Sequence, residues 1–101
     1  MEEVNKIIEA KYSDEEFLGA VKGLENSEVI ELFKEVERIH RECVGELKIA
    51  IDEFRDTGIP SNSEWFHKCK GLANIRKQHL MMLRRELSIR SISKNEIQNT
   101  R

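Results

Sequence analysis

Thr57-Gly58-Ile59-Pro60-Ser61 is the one break in a helical pattern that otherwise runs from Asn26 to Arg90. Glycine tolerates the left-handed conformation just past a helix C-terminus, and a proline two positions later cannot continue the helix. A first long helix therefore stops near Thr57. Ser61 followed three residues later by Glu64 has capping-box spacing, with Ser63 as a competing N-cap, so a second helix starts at once. Two helices joined this tightly fold back antiparallel. The sequence predicts an all-α fold built on a helical hairpin, with arms at about 27–57 and 61–90, each ~45 Å long at 1.5 Å per residue.

The first arm takes Asn26 or Ser27 as its N-cap and runs Val29, Leu32, Val36, Ile39, Cys43, then Leu47, Ala50, Phe54 after a stutter that favours straight packing over a supercoil. Phe33, His40, Val44 and Ile51 widen the stripe beyond a two-helix seam. On the second arm Trp65, Cys69, Leu72, Leu80, Leu83 and Leu87 form the centre, while Ile75, Met82 and Ile89 recur every seven residues on one flank. One facing helix cannot cover so wide an arc. Either the N-terminal segments or a second copy of the chain must cover that flank, and the expected state is a homodimer with Ile75, Met82 and Ile89 at its contact.

Upstream, Val4, Ile7 and Ile8 have helical spacing, and Ser13-Asp14-Glu15-Glu16 is a second capping box that opens a short helix bearing Phe17, Leu18 and Val21 and closed by Gly23. Helices this short do not stand alone in water, so both must pack on the hairpin or on a partner. Residues 91–101 are mostly polar, with Ile92 and Ile97 as the apolar exceptions, and the expectation is a frayed tail. No repeat or linker divides the chain, so 1–101 reads as a single helical domain.

The 101 residues are 39% apolar and 36% charged, the balance of a water-exposed helical domain with a thin core. No apolar run approaches the roughly 18 residues of a membrane span. Acids stand where a signal peptide needs basic residues, giving an intracellular, cytoplasmic expectation. If residue i faces roughly residue 117 minus i across the hairpin, Cys43 and Cys69 are about five residues (~7.5 Å) out of register, and free thiols are expected. The net charge of -2 hides an asymmetry: residues 1–60 carry 8 Lys/Arg against 16 Asp/Glu, whereas residues 61–101 carry 9 against 3. The simplest reading lays an acidic arm against a basic one, with edge pairs across the hairpin. The sharper one sends the basic arm toward an external acid or phosphate.

Three constellations could carry function. Arg76 interrupts the apolar centre of the second arm, with His79 one turn away and His40 opposite, so a polar layer of His40, Arg76 and His79 either meets a first-arm acid, Glu37 or Glu42, or holds an anion or nucleotide phosphate. Lys70, Lys77 and Arg84, with Arg85 beside them, make a basic stripe that would serve nucleic-acid binding, although no exposed aromatics interleave it. Glu2, Glu3, Glu9, Asp14, Glu15 and Glu16 crowd into sixteen residues and form the candidate contact for a basic protein surface. Gly45 and Gly71 fall at one level of the hairpin, a possible waist for close approach by another backbone. Catalytic signatures, cofactor motifs and paired metal-ligand spacings are absent, so neither enzyme nor cofactor nor metal is expected. In general appearance this short, highly charged helical chain resembles small accessory proteins of phages and other mobile elements that bind and inhibit a host protein, a likeness that gives no residue a role. The expectation is a non-enzymatic protein-interaction module, with phosphate binding as the alternative.

Overall fold

The computed structural model describes residues 2–58 and 63–99. In chain order the helices are α1 (Glu2–Glu9), α2 (Asp14–Lys22), α3 (Asn26–Thr57), α4 (Ser63–Ile89) and α5 (Lys94–Asn99). The expected architecture holds: α3 and α4 are the two arms of a long hairpin, α1 packs on α3 and α2 on α4. Gly58 ends α3 in the left-handed region at φ 71°, its N–H donating to the Phe54 carbonyl at 2.8 Å. The proposed Ser61 cap lies outside the described residues.

The Ser13 box forms as its spacing requires. Ser13 N–H donates to the Glu16 carboxylate at 3.2 Å and Ser13 Oγ accepts from Glu16 N–H at 3.3 Å. At α3 the N-cap is Glu25 rather than Asn26 or Ser27: Glu25 N–H donates to the Glu28 carboxylate at 3.0 Å, while the Asn26 side chain accepts from Arg90 Nη1 at 3.1 Å. A tertiary partner has taken the side chain that local spacing assigned to the cap.

The main core sits at the open end of the hairpin. Val4 and Ile7 of α1, Phe17 and Val21 of α2, Leu24, the α3 residues Val29 to Val36, and Leu80, Leu83 and Leu87 of α4 form one buried cluster. Toward the turn the core thins to Cys43, Cys69 and Ala73, with Ile39 and Leu47 against them. The thiol of Cys69 lies 3.6 Å from the Cys43 carbonyl, so the two cysteines share a level instead of standing ~7.5 Å apart. Both occupy the facing seams, and the register of the hairpin sets residue 43 beside residue 69 rather than beside residue 74. They are free and buried, and burial, followed by the neighbouring Cys69, raises the pKa of Cys43.

Residues 90–99 form a turn and a short helix where the sequence led to the expectation of a frayed tail. Ser91 adopts φ 59°, Ile92 N–H donates to the Leu87 carbonyl at 2.9 Å and Ser91 N–H to the Ser88 carbonyl at 3.0 Å. This is a Schellman motif with serine where glycine is usual. It turns the chain back so that Ile92 and Ile97 pack on the core, and Ser93 Oγ accepts from Glu96 N–H to start α5.

Candidate docking groove

The polar layer separates into two sites. Arg76 meets neither Glu37 nor Glu42; its Nη2 donates to the Ile8 carbonyl in the last turn of α1 at 2.9 Å. Those acids are taken on their own helix, Glu37 by Arg41 at 3.1 Å and Glu42 by Arg38 at 2.6 Å. Helical neighbours three or four residues away reach each other with less loss of side-chain freedom than a pair spanning two helices. His79 is buried and stacks on Phe17, ring centroids 3.9 Å apart and 6° from parallel. Arg76 and His79 line a cavity of about 400 Å³ beneath the α1–α2 connection. However, Arg76 Nε and His79 Nδ1 are sealed from that space and have no hydrogen-bond partner. His40 lies elsewhere, against Lys77, Leu80 and Met81. The three residues therefore do not converge as the anion site that their spacing implied.

Burial, reinforced by the Arg76 charge and opposed by Asp14, lowers the pKa of His79 below its ordinary 6.5. A folded chain that refuses a proton which the unfolded chain accepts is fully stabilised above pH 6.5 and loses that increment as pH falls from 6.5 to the folded pKa. Thermal melts between pH 7.5 and 5 will show stability falling by up to about 1.4 kcal/mol per pH unit within that window. His79→Phe, which keeps the ring against Phe17, will flatten the dependence. Glu35, whose pKa is lowered by its hydrogen bond from Arg38, loses its contribution only below pH 4.5, a separate window.

Across the α3–α4 groove the basic stripe of α4 meets Glu37 of α3, but that acid pairs with Arg41 of its own helix. The ion pairs Glu3–Lys6, Glu35–Arg38–Glu42, Glu37–Arg41, Glu64–Lys68 and Glu86–Arg90 each run within one helix. At 100° per residue Glu28, Glu35, Glu42, Glu46 and Glu53 fall on one side of α3, opposite the edge that carries Glu37, His40, Arg41 and Val44. That edge and the α4 residues Lys77, Leu80, Met81 and Arg84 line a groove of about 460 Å³. Arg84 also lies over the Phe33 ring at 5.9 Å. Glu37 and Arg84 continue the groove into a second hollow walled by Ile92, Lys94 and Ile97.

Sequence reasoning missed the matching row on α3. Lys34, Arg41, Lys48 and Arg55 also recur every seven residues, a period visible in the sequence but masked there by the acids between them. It also missed the contacts of Arg90, read as the end of the second arm and as a basic residue beyond the stripe. Arg90 donates to the carbonyls of Leu24 (2.7 Å), Val21 (3.2 Å) and Lys22 (3.3 Å) and to buried Glu86 (3.0 Å). The last turn of a helix leaves carbonyls without internal partners, and a cation there meets the negative end of its dipole. Arg90 does this for α2 and Arg76 for α1.

The remaining candidates are scattered. Glu3, Glu9, Asp14 and Glu15 are exposed, Glu16 is held in the Ser13 box, and the Glu2 side chain lies outside the described residues. Met82 packs on the core, whereas Ile75 and Ile89 are 53% and 65% exposed. Arg85 and Lys70 are exposed. A β-carbon at Gly45 or Gly71 would meet open space, so no backbone of this chain approaches the waist. Among the described residues no three metal-ligating side chains gather, and no helix is long and apolar enough to cross a membrane. No family model, no curated protein and no solved structure matches the chain.

Proposed function

We propose that this chain is a non-enzymatic protein-binding module that acts by seating its hairpin on another protein. The observation that carries this reading is the turn-proximal half of the hairpin, where Ile49, Ile51, Phe54, Trp65, Leu72 and Ile75 are all exposed around a thin core of Cys43, Ala50, Cys69 and Ala73. Apolar surface concentrated in this way marks an interaction site more often than a solvated face. Occlusion of a host protein, in the manner of a small inhibitor, is the mode of action we favour. A second copy of the chain, covering Ile75 and Ile89, is the simplest partner. The exposed acids Glu3, Glu9, Asp14 and Glu15 offer a second surface for a basic protein.

The test replaces Trp65 and Leu72, one heptad apart on α4, by glutamine. Both are 40% exposed, so the melting temperature should stay within a few degrees of the native chain. Self-association at micromolar concentration, or capture of the same protein from the native cellular background, should be lost. Unchanged association and capture by the double variant would overturn this surface. The alternative, phosphate binding along the cationic face, requires binding to a random duplex that weakens steeply with salt.

A further inference from the structure

We propose that the α3–α4 groove is the docking site for an acidic amphipathic helix of a partner protein. This inference rests on the protein-binding reading and names the partner's chemistry. The groove has an apolar floor in Val44, Leu80 and Met81, with Val44 and Met81 45% and 55% exposed. Methionine and small aliphatic side chains between two helices form the floor into which a third helix lays its apolar face, with anchors at i, i+3, i+4 and i+7.

The walls determine the charge of the occupant. Arg41 lines one side, with Glu37 beside it taken up by Arg41, and Lys77 and Arg84 line the other; each of the three cations belongs to a row repeating every seven residues, ~10.5 Å along its helix. Lys48 and Arg55 from one row and Lys70 and Lys77 from the other make no ion pair among the described residues. Two cationic rows at heptad spacing match a helix whose flanking positions carry Glu or Asp at the same spacing, as charges flanking a coiled-coil seam select a partner. The apolar floor argues against nucleic acid, whose phosphates gain nothing from Val44 or Met81. Away from the turn the groove runs on into the hollow walled by Ile92 and by Ile97 of α5.

The probe is a synthetic amphipathic helix of about three heptads, leucine at its seam and glutamate at the flanking positions, labelled for fluorescence anisotropy with the full chain. A control peptide carries lysine at those flanks, and a random DNA duplex of similar length is the third probe. The expected result is saturable binding of the glutamate peptide alone, weakening with salt. Lys48→Glu with Lys77→Glu, one exposed residue from each row, should weaken it at least about tenfold. Met81→Ser with Val44→Ser should weaken it without changing its salt dependence.

Tighter binding of the duplex than of the glutamate peptide overturns the proposal in favour of nucleic acid. Peptide binding indifferent to both double variants overturns it as well. Self-association abolished by Lys48→Glu with Lys77→Glu would assign the groove to a second copy of the chain and overturn it too. If the peptide fails while Trp65→Gln with Leu72→Gln still abolishes capture, only the groove assignment falls and the protein-binding reading stands.

Discussion

Arg90→Met should cost about 3–5 kcal/mol of folding stability, the range for removing one partner of a buried ion pair. The pair is well shielded, with the Arg90 and Glu86 side chains only 16% and 7% exposed, and Arg90 also binds three backbone carbonyls around the end of α2. Methionine keeps most of the side-chain volume and apolar stem, so the loss reports the guanidinium. Urea unfolding followed by circular dichroism measures it. Adding Glu86→Leu should recover part of the loss, because the stranded carboxylate goes, but the carbonyls of Lys22 and Leu24 still lack the guanidinium, while that of Val21 keeps its bond from Leu24 N–H. Full recovery would show that those carbonyl bonds contribute nothing; no loss in the single variant would show that Arg90 is not the clasp between α2 and α4.

Phe17→Ala should cost a similar ~3–5 kcal/mol, the range for truncating a buried phenylalanine. Phe17 is fully buried, and its ring supports one face of His79. The damage should be regional. With eight and nine residues, α1 and α2 hold their helical form through tertiary packing, so loosening the α2 anchor frees both. Hydrogen exchange should accelerate across residues 2–24 more than in the α3–α4 segment Leu80 to Leu87 and its facing residues. Uniform acceleration over the whole chain would instead show that the short helices and the hairpin unfold as one unit.

The hairpin and the Ser13 box were legible because their determinants are local. Gly58 needs a left-handed angle and Ser13 needs Glu16, and both requirements act within four residues. What escaped was what depends on which surfaces meet. Arg76 could be placed on the inner face of α4 by spacing, yet its partner, a backbone carbonyl of α1, has no side-chain identity to read. Arg90 escaped for the same reason. The turn and short helix of residues 90–99 escaped because Ser91 occupies a left-handed position that sequence reading assigns to glycine. Charge balance by halves pointed to pairing between arms. By wheel position Glu35 and Glu42 lie opposite the groove edge, and Glu37, which lies on that edge, is taken by Arg41 of its own helix.

The clasp between Arg90 and the Val21 carbonyl joins residues 69 apart in a 101-residue chain, and the main core likewise ties Val4 and Phe17 to Leu83 and Leu87. Such closures are paid in loop entropy before they return any contact energy. During synthesis α1, α2 and α3 are complete while the residues they close against have yet to be made. Val4 and Ile7 can meet α3 early, but Phe17 and Val21 of α2 lack their α4 cover until Leu80 to Arg90 have left the ribosome. Completion of the core thus waits on the second half of α4, and any product ending short of it carries an apolar surface that it cannot bury.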